Sequence, residues 1–289
     1  MRLTIQDLSL GAFDSLRIRS QSFLAPVLQH VPGARKRRFH AFCVGLPRSG
    51  THSIAAMFSR SYASRHEPSL LGSAAHILLF MEGRQSERTM RAVLQARDRL
   101  LRLEMEAAHY LNHVVDLLVS QFPAARFILT LREPVSWLQS EIDQNLKTRA
   151  YPLWNAVQRF RYRRYGSVFP SEERALETLG GVYPLGSYLS YWKDHHDRVV
   201  RCVPADRLLV LRTDDLSGSA LTLARFLAID PASINTSRSH SGAGKERRFD
   251  LLASVEEAYV RELVEEVCGD LVGRLYPEQS PGGNERVES

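Results

Sequence analysis

Cysteine is scarce in this chain: there are three in 289 residues, Cys43, Cys202 and Cys268, scattered and without metal-ligand spacing. That usage excludes a disulfide scaffold and a cysteine-based zinc cluster, and it points to a reducing compartment. Long apolar runs are missing too, since no segment approaches the roughly 20 residues that a membrane span needs. The first residues, Met1, Arg2, Leu3, Thr4, Ile5, Gln6 and Asp7, put polar and acidic groups where a secretory signal would need an apolar core. The expected location is the cytoplasm. There is no internal repeat. His109 and His113 have helical spacing but lack the H-E-x-x-H context of a zinc site, so both read as ordinary polar-face residues.

What is present is an ordinary globular balance, 44% hydrophobic and 24% charged, enough to build one domain with an ample core or two small ones, the first being favoured. The net charge of +6 suits an anionic ligand, a nucleic acid or an acidic membrane surface, and does not separate them. The most informative stretch begins at Phe42, where an apolar run empties into Gly45, Leu46, Pro47, Arg48, Ser49, Gly50, Thr51, His52 and Ser53, followed by Ile54, Ala55, Ala56, Met57 and Phe58. That pattern is a strand, a tight loop and a helix N-terminus. Loop amides and the positive end of the helix would converge on a phosphate or sulfate.

Gly45 and Gly50 have the spacing of a nucleoside-triphosphatase loop, yet Thr51 stands where that pattern has Lys, and the cation is Arg48, inside the loop. The best second strand, residues 126–131, ends in Arg132, where a triphosphatase would need a carboxylate for Mg²⁺. The site is therefore expected to work without metal.

At these residues the sequence resembles the sulfotransferases that use 3′-phosphoadenosine 5′-phosphosulfate. Pro47, Arg48, Ser49, Gly50 and Thr51 look like the family's 5′-phosphosulfate loop, with His52 and Ser53 opening the helix behind it. Many family members have Lys where this chain has Arg48, and His52 replaces a small hydroxyl residue. Leu131, Arg132, Glu133, Pro134 and the residues through Ser140 look like the 3′-phosphate motif, so the resemblance assigns that grip to Arg132 and Ser140. A looser match covers residues 209–216, with Phe226 and Leu227 closing the next helix. Lys245, Arg247 and Arg248 resemble a late basic loop that closes over the nucleotide, or are a solvated charge run. The resemblance implies an α/β fold, a P-loop-type three-layer sandwich around a central parallel sheet. It also implies sulfuryl transfer to a hydroxyl, or an amine, of a small-molecule, carbohydrate or lipid acceptor.

The transfer needs a base for the acceptor proton. Glu67 follows a second extended segment at residues 61–66, so it should reach the same sheet edge as Arg48, and Pro68 favours extended backbone there. The tyrosylprotein and some bacterial sulfotransferases resemble this, with a Glu at a similar distance beyond the loop cation. His66 is the next candidate, placed on the opposite face by strand alternation. Glu104 and Glu106, near an expected strand at 101–105, come after it.

Along the chain, residues 1–39 read as an extension, 40–276 as the domain and 277–289 as a disordered tail. Apolar residues of the extension, followed by the basic cluster at 35–38, are compatible with a peripheral membrane contact. Strands are expected at 41–46, 126–131 and 207–211, and helices at 84–99, 107–122 and 217–228. The Arg and Tyr run at 159–165, in a less regular region, reads as an acceptor wall or a solvated face ahead of a nucleic-acid surface, so no nucleic-acid partner is expected. Two rivals remain: a P-loop small-molecule kinase, and a non-catalytic basic module for RNA or acidic lipid.

Overall fold

The computed structural model describes residues 36–68, 70–149, 152–240 and 251–276. The described residues group into two compact units, 36–132 with 198–240, and 133–197 with 251–276.

The first unit is built on five parallel strands: β1 Ala41–Cys43, β2 Ser64–His66, β3 Met105–Ala107, β4 Arg126–Leu131 and β5 Leu208–Arg212, in the order β2-β3-β1-β4-β5. Ala41 aligns with Met105 on one side and Arg126 on the other, and Ser64 aligns with Met105. Strands covered on both faces do not alternate between buried and exposed residues, and β1 and β3 are buried throughout, β3 with Glu106 at its centre. Phe42, Phe127 and Leu129 face a core shared with α2 Leu70–Met81, α3 Glu87–Leu101 and α4 Val115–Gln121. Ala41, Cys43 and Ile128 face the other way, towards α1 Thr51–Phe58 and the helix Ala220–Leu227. Two helical layers on one sheet make the expected three-layer α/β sandwich. Burial pushes the Cys43 thiol up to about 12, as befits a structural cysteine.

The first strand is shorter than expected, and the third lies later. Leu101, Leu103 and Met105 alternate with charged residues and invite a strand over 101–105, but α3 runs on to Leu101 and is closed by Arg102 in a left-handed conformation, φ 47°. Glu104 is consequently at the N-terminal edge of the sheet, opposite the loops that follow the strands. Its Oε1 accepts from Arg38 N at 2.9 Å and Arg38 Nε at 3.1 Å, and its Oε2 accepts from Ala63 N at 2.9 Å. Glu106 lies within β3, paired with Arg97. Neither carboxylate is placed to act as a base. The helix expected at 107–122 starts as a 3-10 turn, His109–Val114, before α4.

The second unit is helical. Glu133 caps the helix Pro134–Thr148 by accepting from Val135 N and Ser136 N, with Pro134 in the first helical position. The helices Pro152–Tyr162, Arg174–Leu179, Leu185–Cys202 (through Asp197) and Glu257–Leu275 belong to it as well. Trp137, Tyr162, Tyr188, Tyr191 and Trp192 form its aromatic core. The run at 159–165 is partly inside: Tyr162 Oη donates to buried Glu141 at 2.6 Å, and Arg161 pairs with the same carboxylate at 3.4 Å. Those two side chains are committed to the core, so neither stacks on a base.

Burial alone would raise the Glu104 carboxyl, but Arg38 and the N–H donors outweigh it and hold it below its ordinary range. This stabilisation is present at neutral pH and is lost as acid protonates the group. Glu104→Gln should cost about 1.5–3 kcal/mol in thermal denaturation, the range for hydrogen bonds to a charged group, with turnover unchanged. Lost turnover in a fully folded variant would restore Glu104 as a candidate base.

Candidate active site

The loop after β1 is held from beneath. A Cβ on Gly45 would lie 1.9 Å from Thr130 Oγ1 and 2.9 Å from the Thr130 carbonyl, so only glycine lets β1 leave the sheet this close to β4. Ser49 Oγ lies 2.7 Å from both the Leu46 carbonyl and Thr130 Oγ1. Thr213 Oγ1 donates to the Ser49 carbonyl at 2.6 Å. The Ser49 hydroxyl is therefore engaged in the scaffold beneath the loop, and its side chain is fully buried.

Arg48 and Gly50 both have left-handed backbone, φ 64° and 102°. Gly50 is the N-cap of α1 and contributes no side-chain cap, nor is there an acidic residue in the first turn. Amides of a first turn have no acceptor inside the helix, and here no side chain of the cap takes their place. This uncapped positive end fits an anion. Arg132, just past β4, donates from Nη1 to the Arg48 carbonyl at 3.0 Å, so it props the loop backbone as well as bringing charge to it. Thr51 and Ser53 are buried, His52 is exposed, and Pro47 and Arg48 are half-buried.

Glu67 does reach this edge, by a route the sequence does not suggest. Despite Pro68 it takes a left-handed conformation, φ 46°, while its N–H donates to the Ala107 carbonyl at 2.9 Å. Strand alternation ends there. His66 consequently is not on the opposite face: its Nε2 lies 3.7 Å from Glu67 Oε1 and 3.2 Å from Thr51 Oγ1. The His52 ring stands edge-on to His66 at 5.1 Å. Burial lowers the His66 pKa, with His52 and His109 adding to it and Glu67 opposing, so the imidazole is kept neutral.

Glu67 is joined to His109, whose Nδ1 donates to Oε1 at 2.5 Å. His109 is buried, while the Glu67 side chain keeps 17% of its surface exposed. The Glu67 side chain is thus the more accessible member of the pair. Sequence spacing assigns His109 to a polar helix face; placing β3 at 105–107 would instead have put it directly after a strand, at the edge where Glu67 sits. His113 is buried as well, on the same 3-10 turn.

Ser140 is half-buried on the helix Pro134–Thr148 of the second unit. Lys245, Arg247 and Arg248, the extension to residue 35 and the tail from 277 lie outside the described residues. Of the basic cluster, Arg37 pairs with Asp98 at 2.8 Å and Arg38 with Glu104 at 3.1 Å. Among the described residues no group of three or more His, Cys, Asp or Glu is arranged to hold a metal ion, and no helix is long and apolar enough to cross a membrane.

Comparison with known proteins gives three kinds of likeness. The family model described as the sulfotransferase domain matches residues 40–235. Ava biosynthesis cluster protein M of Aspergillus versicolor is 32% identical over 101 residues, which are 33% of this chain; the match spans 39% of that curated relative's length. A sulfotransferase structure from Alicyclobacillus acidocaldarius shares 15% identity over 84% of this chain and 95% of that one, with a TM-score of 0.48. Sulfotransferase STF9 from Mycobacterium avium shares 11% over 89% and 86%, with a TM-score of 0.47.

Gly45→Ala tests the loop's dependence on its contact with β4. Overpacking against a backbone carbonyl should lower stability by about 1–3 kcal/mol or more, seen as a reduced thermal midpoint. A midpoint equal to that of the parent would contradict the close approach.

Proposed function

The chain belongs to the sulfotransferase domain family, and from that premise we propose that it transfers a sulfuryl group from 3′-phosphoadenosine 5′-phosphosulfate to an acceptor hydroxyl. The observation that carries this reading is the meeting, at one sheet edge, of an uncapped helix N-terminus after β1 with a carboxylate–imidazole pair formed after β2 and β3. An anion cradle alone suits many ligands. An accessible carboxylate oriented by a buried imidazole beside it adds a group able to take a proton.

In the proposed reaction Glu67 accepts the acceptor's hydroxyl proton as the oxygen forms its bond to sulfur. The bond from sulfur to the 5′-phosphate oxygen breaks, and its electron pair stays on that oxygen. Arg48 and the first-turn amides face the charge developing there, and a guanidinium keeps its charge at any working pH. His109 donates to Glu67 and fixes its orientation. Neutral His66 adds no cation beside the base, so the carboxylate is not quenched by a second charge. Arg132 supplies the charge for the donor's 3′-phosphate, as its place after β4 and the family pattern suggest.

Donor recognition can be tested by calorimetry. 3′-Phosphoadenosine 5′-phosphate should bind more tightly than adenosine 5′-phosphate, and Arg132→Ala should remove most of that difference, since charge-assisted hydrogen bonds to phosphate are strong. Equal affinities for the two nucleotides would remove the 3′-phosphate from the reading. Binding of acidic lipid or RNA with no nucleotide affinity would point to a non-catalytic module.

Glu67→Gln keeps shape while removing proton affinity. Turnover should fall by about 10²–10⁴-fold, with affinity for 3′-phosphoadenosine 5′-phosphate nearly unchanged. The parent's rate should also decline towards acid pH, where His66, its pKa lowered by burial, finally gains charge. Near-parental turnover by Glu67→Gln, with collapse in His66→Asn, would move the base to His66.

A further inference from the structure

Beneath the Glu67–His109 pair lies a buried polar network that the transfer reaction does not use directly. Arg97 of α3 is 4% exposed. Its Nε donates to Ser73 Oγ at 2.9 Å, its Nη1 pairs with Glu106 of β3, and its Nη2 donates to the Pro68 carbonyl at 2.9 Å and to Tyr110 Oη at 3.3 Å. The Tyr110 hydroxyl donates in turn to the same Pro68 carbonyl at 3.0 Å. Two of these partners matter by position. Pro68 follows Glu67, and Tyr110 follows His109. A single guanidinium thus ties the residue after the carboxylate to the residue after its imidazole.

The turn needs such a tie. Glu67 has φ 46°, a region costly for a side chain with a Cβ, and a following proline biases it towards extended backbone. Relaxation to that preference would re-aim the carboxylate. The Glu67 N–H bond to Ala107 holds one side of the turn, and the Pro68 carbonyl, with its two donors, holds the other. Burial raises the Tyr110 pKa, and Glu106 and Glu67 add to it against the pull of Arg97, so the phenol remains a donor. A desolvated ion pair contributes little net stability; orienting its neighbours is a use consistent with keeping Arg97 and Glu106 inside.

Resting on the reading that Glu67 is the base, the geometry points to Arg97 and Tyr110 as positioning residues that hold the Glu67–His109 pair in alignment. They touch neither donor nor acceptor. Their effect on the reaction runs through the orientation of one carboxylate.

Tyr110→Phe, which keeps the ring and deletes the hydroxyl, and Arg97→Lys, which keeps the charge and loses the fan of bonds, are measured alone and combined with Glu67→Gln. The readouts are kcat, KM for the donor, and the downfield proton resonance of His109 Nδ1. Tyr110→Phe should lower kcat by about tenfold, as misplacement of a reacting group does, with donor KM unchanged and the His109 resonance shifted or lost. In the Glu67→Gln background it should change kcat by less than about twofold, because the group it aligns is gone. Arg97→Lys should follow the same pattern more strongly, and if it fails to fold, Tyr110→Phe decides alone. Equal losses in both backgrounds, or an unchanged kcat with an unchanged resonance, would overturn the proposal. Full turnover by Glu67→Gln itself would instead remove the base assignment, and the His109 resonance would still report whether Tyr110 aligns the pair.

Discussion

Everything at the site depends on the parallel pairing of β2, β3 and β1. Parallel strands bring all their C-terminal ends to one edge, so the turns after Cys43, His66 and Ala107 become neighbours although they are distant in sequence. The register fixes the alignment: Cys43 and His66 both pair with Ala107. With that register in place, the Gly45–Gly50 loop, Glu67 and His109 are delivered to one place, and the covering helices provide the apolar burial that keeps the register from slipping.

Several local features at that edge run against the backbone's ordinary preferences, and each is held by a named contact. Arg48, a non-glycine in left-handed backbone, has its carbonyl held by Arg132. Glu67, in a similar conformation before a proline, is held by Ala107 on one side and by the Arg97 and Tyr110 bonds to Pro68 on the other. Strained residues persist where the surroundings over-determine them. Here the strain coincides with the cation and the carboxylate to which sulfuryl transfer is assigned.

The strand at 126–131 and the Arg132 that ends it were legible because Phe127, Ile128, Leu129, Thr130 and Leu131, five residues of strand type in a row and all buried, are closed by a charge and leave little else to read. The loop from Gly45 to Gly50 was legible for its glycines, but not the direction of its side chains: Ser49 and Thr51 turn inward, which only the contact with Thr130 and the bond to His66 reveal. The position of Glu67 was readable and its conformation was not, since Pro68 and strand alternation both argue for extended backbone. His109 was not legible because its helical spacing with His113 points to a polar face, while the alternating Leu101 and Leu103 suggest a strand that in fact begins only at Met105. Misplacing that one strand put Glu104 at the wrong edge and left His109 on an ordinary helix face.

The most direct measurement is high-resolution mass spectrometry of a mixed pool of phenols, sugars and alcohols incubated with 3′-phosphoadenosine 5′-phosphosulfate and either the parent protein or Glu67→Gln. Products carrying one added sulfuryl group should form with the parent and be greatly reduced with the variant. Products formed equally by both would contradict the assignment of Glu67. A parent that binds the donor yet sulfates no acceptor in the pool, while hydrolysing or phosphorylating instead, would contradict the transfer itself.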